Sequence, residues 1–212
     1  METLVSDAQR FLLALDADNT RDWWLAHKAE YDARLKSPAL ALLEGLSPAL
    51  ESLAGLPVTG KLFRPYNDVR FAKGKPPYKT HLHMMWQIQD DDAKQAPVFF
   101  FGIDLARVTV GAGLMMFEKD MLADWRLFAD QDHKRMNGVM DQVEDAGFTL
   151  WEPALKRVPP PYPADHPAAR LLRMKGCVAS GPLPDGPLEK RILAAFSDLQ
   201  PLNAVLLSIA SA

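Results

Sequence analysis

The chain has one cysteine, Cys177, among its 212 residues. That excludes an intramolecular disulfide and a cysteine-built metal cage, and it fits a reducing compartment. Long apolar runs are also missing. None approaches the roughly 18 residues that a spanning helix needs, so no membrane segment and no membrane partner are expected. The opening METLVSDAQRFLLALDAD puts acids before its apolar residues and has no basic start, unlike a secretory leader. The expected location is cytoplasmic. Positive charge is scarce overall, with 24 Lys and Arg against 27 Asp and Glu and a net charge of -3. This disfavours general nucleic-acid binding and leaves only a local patch as a route to it. With 48% apolar residues there is enough material for a real core, and the length suits one domain spanning 1-212.

The positive charge that exists is concentrated. Residues 61–81 carry Lys61, Arg64, Arg70, Lys73, Lys75 and Lys79 against Asp68 alone, a local charge of +5, while the rest of the chain sums to -8. Such focusing favours an anionic ligand or an acidic partner face at that place.

Periodicity divides the chain into helices, strands and helices again. Phe11, Leu12 and Leu15 fall at helical spacing in residues 6–16, with Ser6 or Asp7 as cap. Asn19 or Thr20 caps a second helix to about residue 35, in which Trp23, Trp24, His27 and Tyr31 form one stripe facing the core. Pro38 opens a third helix to about residue 53. The period then shortens: residues 58–66, 81–88, 96–103 and 107–116 read as strands, with the last two forming an antiparallel hairpin. In that hairpin Phe99 and Phe101 face one side and Phe100 the other. A run so apolar predicts helices over both faces, with an exposed Phe100 face pointing instead to a dimer interface. Gly111 and Gly113 suggest a bulge or a close backbone approach. Helices near 119–130 and 132–146, a proline-rich strap at 153–167 and a closing helix near 188–209 complete the chain. The fold class is α+β, with a mostly antiparallel central sheet flanked by N-terminal and C-terminal helices.

Chemistry concentrates in RPYNDVRFAKGKPPYKTHLH, residues 64–83. On extended chain Asp68 and Arg70 share a face and pair, which orients the guanidinium fork. Lys73-Gly74-Lys75-Pro76-Pro77 must be a loop, since glycine admits positive φ and two prolines oppose helix. Exposed amides, an arginine and several lysines form a receptor for phosphate or carboxylate. The spacing is not that of a Walker loop. The candidate catalytic residues are Asp68 and Arg70, and the candidate ligand-binding residues are Lys73, Lys75, Tyr78, Lys79, Arg64 and His81.

This stretch resembles the signature RDVRFSKDKTPYKTH of the family of conserved hypothetical proteins called domain of unknown function 2461. The similarity extends over DNTRDWWLAHKAEYDARLKSP, GAGLMMFEKDMLADWRLF and LKRVPPPYPADHPAARLLRMKG, nearly the whole chain. Asp68, Arg70, Phe71, Lys73, Lys75, Pro77, Tyr78, Lys79, Thr80 and His81 hold the pattern. Asn67, Ala72, Gly74 and Pro76 depart from it, replacing the usual Arg, Ser, Asp and Thr, so no role rests on a hydroxyl at 72 or 76. The resemblance implies an α+β domain carrying this site, and no reaction.

Elsewhere the signals are weaker. His81 and His83 share a strand face and would bind a metal with a third ligand from Asp90, Asp91 or Asp92. A sheet histidine is more often structural, and no metal or cofactor is assigned. Cys177 reads as a packing residue, Met84-Met85-Trp86 as core, and Gly111-Ala112-Gly113 lacks the dinucleotide fingerprint. The strap, with Lys156, Arg157 and the following Arg170, Arg173 and Lys175, would add positive charge to the site. Two functions stand at this point: an enzyme acting on a phosphorylated or carboxylated small molecule with Asp68 as base, or a non-catalytic module recognising a nucleotide, a nucleic-acid backbone or an acidic protein segment.

Overall fold

In the computed structural model, residues 3–67, 74, 76–183 and 185–212 are described. The expected Asp68–Arg70 pair and the loop lysines Lys73 and Lys75 lie outside them. The first helix, α1 (Leu4–Ala17), buries Leu4, Ala8, Phe11, Leu12 and Leu15 on one side. It begins after Thr3, earlier than the expected Ser6 or Asp7, and the Ser6 hydroxyl donates back to the Thr3 carbonyl at 3.0 Å. Thr20 caps α2 (Arg21–Tyr31), accepting the Trp23 N–H at 3.2 Å. The expected break before the third helix is absent. A π-helical turn at Asp32–Lys36 joins α2 to α3 (Ser37–Ala54). Pro38 has no N–H to give and its ring crowds the preceding turn, and a wider turn there lets the rod continue. Gly55, at φ +72°, ends it in the left-handed conformation that glycine adopts without penalty.

The six strands are β1 (Val58–Leu62), β2 (His81–Ile88), β3 (Val98–Asp104), β4 (Val108–Leu114), β5 (Thr149–Leu150) and β6 (Cys177–Pro182). They form one antiparallel sheet in the order β1-β2-β3-β4-β6-β5. The fold is α+β, as the periodicity implied. The β3–β4 hairpin is present, its turn held by the Asp104 carboxylate, which accepts the N–H groups of Ala106 and Arg107 at 3.0 and 2.9 Å. Gly113, at φ +125°, makes the expected close approach: a Cβ there would stand 2.1 Å from the Cys177 carbonyl oxygen on β6.

Alternation along the strands sends Leu82, Met84, Trp86 and Ile88 of β2 and Phe99, Phe101 and Ile103 of β3 to one face, all 2% exposed or less. Helices cover it. The Trp86 indole donates to the Leu43 carbonyl of α3 at 3.1 Å, and Phe196 packs on both Trp86 and Phe99. Phe196 belongs to α7 (Leu188–Ala210), which buries eleven residues. By length and composition α7 alone among the described residues could cross a membrane, and half of its most apolar window is buried in the fold.

The opposite face corrects an expectation. Phe100 points there and is only half-buried, and among the described residues no helical one lines the hollow of about 350 Å³ above it. The reason lies across the strands. Phe100 faces Gly111 and His83 faces Gly102, and a Cβ at Gly111 would stand 2.2 Å from the Phe100 ring, one at Gly102 2.9 Å from the His83 ring. The rings therefore lie flat over bare backbone and partly bury it, instead of standing up to meet a second layer of helices.

Between β4 and α7 come α4 (Lys119–Gln131), α5 (His133–Asp145) and the short α6 (Ala169–Leu172). The proline-rich strap lies against α4 and α5: His166 Nε2 is 3.0 Å from the Asp130 carboxylate, and Asn137 donates to the Pro167 carbonyl at 3.2 Å. Cys177 packs against Met140, its thiol pushed up to about 12 by burial.

Candidate functional site

The basic segment leaves β1 and returns to β2 through a described neck. Tyr66 pairs with Tyr78 as an isolated antiparallel bridge. The Asn67 N–H donates to Pro77 O at 2.9 Å and the Lys79 N–H to Pro65 O at 2.7 Å, while the Asn67 side chain donates to Pro76 O at 2.8 Å. Asn19, just before α2, locks the neck to the helices: its Nδ2 donates to the Tyr78 carbonyl at 3.0 Å and its Oδ1 accepts the Tyr78 N–H at 3.1 Å. Asn19 thus holds the signature segment while Thr20 caps the helix. The Tyr78 ring is 5% exposed and stacks on Trp24, centroids 4.4 Å apart; Tyr66 meets Trp24 edge-on at 5.7 Å.

Beside this neck, between the α2–α3 rod and β1, lies a hollow of about 490 Å³. The rod contributes Trp24, Lys28, Asp32, Lys36 and Leu40 to its wall. These recur every fourth residue, the row that shares one side of a helix. The strand side contributes Lys61, Phe63, Arg64 and Tyr66. Among the described lining residues four cations face a single carboxylate, and Asp32 is already held by Lys28 in an ion pair that raises the lysine's pKa. Lys36 and Arg64 have no carboxylate partner among the described residues; Lys61 lies over the Phe63 ring, 5.3 Å from its centroid. Tyr31 and Trp24 supply an aromatic floor. Burial, then the charge of Asp32, pushes the Tyr31 phenol up to about 12, so it stays a neutral donor. The Trp24 indole N–H is buried without a hydrogen-bond partner among the described residues.

The sequence-predicted residues do not all meet here. Arg64 is exposed on the wall of the hollow. Tyr78 is buried in the neck, and Lys79 enters through its backbone. His81 lies on the open face of the sheet, stacked on His83 with centroids 3.9 Å apart. Desolvation lowers the His81 pKa, and desolvation followed by the charge of His81 pushes His83 down to about 4. The third metal ligand sought among Asp90, Asp91 and Asp92 is not within reach: these follow the far end of β2, seven or more residues along extended chain from His83, roughly 23 Å at about 3.3 Å per residue. Among the described residues no three His, Cys, Asp or Glu side chains gather to hold a metal. The strap cations do not line the hollow either. Arg170 is engaged by Glu144, two hydrogen bonds of 2.9 and 2.8 Å.

Sequence reading missed Lys28 and Lys36. Their signal was the row at positions 24, 28, 32, 36 and 40, hidden because a break was expected before Pro38. The stripe of Trp23, Trp24, His27 and Tyr31 also divides: Trp24 and Tyr31 enter the core, while Trp23 and His27 stack on each other half-exposed at its flank.

An antiparallel six-stranded sheet with helices packed on one face, and a clamped basic segment at its edge strand, defines the class of this α+β protein. The chain belongs to the family described as conserved hypothetical protein (DUF2461), whose profile matches residues 7–204. A comparison with curated proteins finds no match.

Proposed function

We propose that the protein binds an anionic small molecule, phosphorylated or carboxylated, in the hollow between the α2–α3 rod and β1. The observation that carries this reading is the set of cations without carboxylate partners among the described residues, Lys36, Lys61 and Arg64, gathered around an aromatic floor. Evolved surfaces usually intersperse opposite charges, and three uncompensated cations in one concavity raise the local potential for an anion. Arg64 provides the bidentate contact, and Lys36 and Lys61 act as point charges. Among the described residues the one carboxylate on the wall, Asp32, is engaged by Lys28, which favours binding without chemistry over the enzymic reading. Calorimetric titration at low salt with nucleotides, sugar phosphates, dicarboxylates and short oligonucleotides tests the reading. At least one phosphate-bearing ligand should bind, more weakly as salt rises. Arg64→Ala should weaken it by about tenfold, the loss of one charge-assisted contact, and Lys36→Ala by less. Binding by no member of the panel, or unchanged binding by both variants, overturns it.

A further inference from the structure

The hollow on the open face of the sheet is built, not left over. Its floor is the recumbent Phe100 ring, lowered onto Gly111, beside Met85 and His83. Its walls include Met115 and Trp151, which stay 76% and 45% exposed. These side chains stand on fixed backbone. The Trp151 indole donates to Ser180 at 3.0 Å. Gln95 grips the segment just after Met115, donating to Met116 O at 2.7 Å and accepting the Glu118 N–H at 3.0 Å. Exposed apolar side chains on a rigid rim over a flat aromatic floor suit a planar apolar group.

Two sides of this hollow differ in charge. At the β3–β4 turn Asp104 and Arg107 neutralise each other at 3.0 Å. On the β1 side stands Phe63, whose N–H donates to His83 O at 2.9 Å and which lines both this hollow and the basic one. Lys61 pairs in register with Met85, so its side chain leaves β1 on the open face, and its ammonium lies over Phe63. The positive charge that has no carboxylate partner among the described residues therefore begins where the apolar floor ends. We infer that the two hollows take one amphipathic ligand, a planar aromatic body over Phe100 and an anionic group beyond Phe63 among Lys61 and Arg64. This rests on the anion-binding reading of the basic hollow and adds the ligand's other half. Charge complementarity selects the occupant: a wholly apolar partner leaves the cations unused, and a small inorganic anion leaves the aromatic floor bare.

The full-length protein titrated by calorimetry with 1-naphthyl phosphate, inorganic phosphate and 1-naphthol tests this. The naphthyl ester should bind at least about tenfold more tightly than inorganic phosphate, as burial of part of a bicyclic ring requires. Trp151→Ala and Met115→Gln alter exposed walls and should fold as wild type; they should remove that advantage and leave affinity for inorganic phosphate unchanged. Arg64→Ala should weaken both phosphates. If the ester binds no better than phosphate, or its advantage survives both wall variants, the joint ligand is wrong and the anion site stands. If neither phosphate binds while 1-naphthol does, the anion site itself fails and takes the joint ligand with it. A concentration-dependent dimer in sedimentation that Met115→Gln abolishes gives the open face to a second copy of the chain and overturns the inference.

Discussion

The two faces of the sheet come from the same strands, residue by residue in alternation, and differ in how they exclude water. On one face Trp86, Phe99 and Phe101 are fully buried, Trp86 against Leu43 of α3 and both Trp86 and Phe99 against Phe196 of α7. On the other, Phe100 and His83 lie down across Gly111 and Gly102, and the face stays partly open. Burial by a second layer gives stability through packed volume. Burial by a ring against bare backbone gives less, and it leaves a concave surface with room for another molecule.

The sharpest way to break this comparison is a pair of neighbours. Phe101→Ala removes a side chain with no exposed surface and should cost about 3–5 kcal/mol, the usual range for a buried phenylalanine. Phe100→Ala, one residue away on the half-open face, should cost about 1–2 kcal/mol because less area leaves water there. Urea denaturation of both variants measures the difference, and equal losses would show that the open face is covered as fully as the helical one.

A smaller effect tests the neck. Asn19→Ala removes both hydrogen bonds to the Tyr78 backbone and should cost about 1–3 kcal/mol, because Tyr78 is left with polar backbone groups in a partly buried place. A melting temperature equal to that of wild type would mean that the stacking of Tyr78 on Trp24 holds the segment without Asn19.

His83 is exposed, and solvent screening makes its pH dependence the smallest of these effects. His83 has its folded pKa lowered from 6.5 to about 4. The unfolded chain therefore takes up the proton first as pH falls, so this histidine's contribution is complete above about 6.5 and declines toward pH 4. Thermal melts of wild type and His83→Gln across that window should converge as the pH drops, since only wild type carries this term. Parallel curves would mean that solvent reaches the ring freely.

Much of the architecture was legible in the sequence. The helix spacing of Phe11, Leu12 and Leu15, the alternation along β2 and the short link between β3 and β4 each record a local preference that the fold obeys. β5 and β6 were not legible. Cys177–Pro182 consists largely of small residues and ends in proline, and its partner β4 is some sixty residues earlier, so only long-range pairing makes it a strand. The continuous rod was missed because Pro38 reads as the first turn of a new helix, and a π-helical turn absorbed it. Of the candidate site residues named from the sequence, Arg64 stands on the wall of the basic hollow, while Asp68, Arg70, Lys73 and Lys75 lie outside the described residues.

The sequence by itself determined the fold class, the concentration of positive charge in residues 61–81 and the family, because composition and local period are properties of the chain alone. The tertiary structure decided which cations meet. Lys28 and Lys36 join Lys61 and Arg64 only because the α2–α3 rod packs beside β1, and His81 parts from Arg64 because alternation on β2 turns it to the open face. It also decided that Phe100 needs no helix above it. That depends on which residue stands opposite on the neighbouring strand, and register is set by the pairing of the whole sheet.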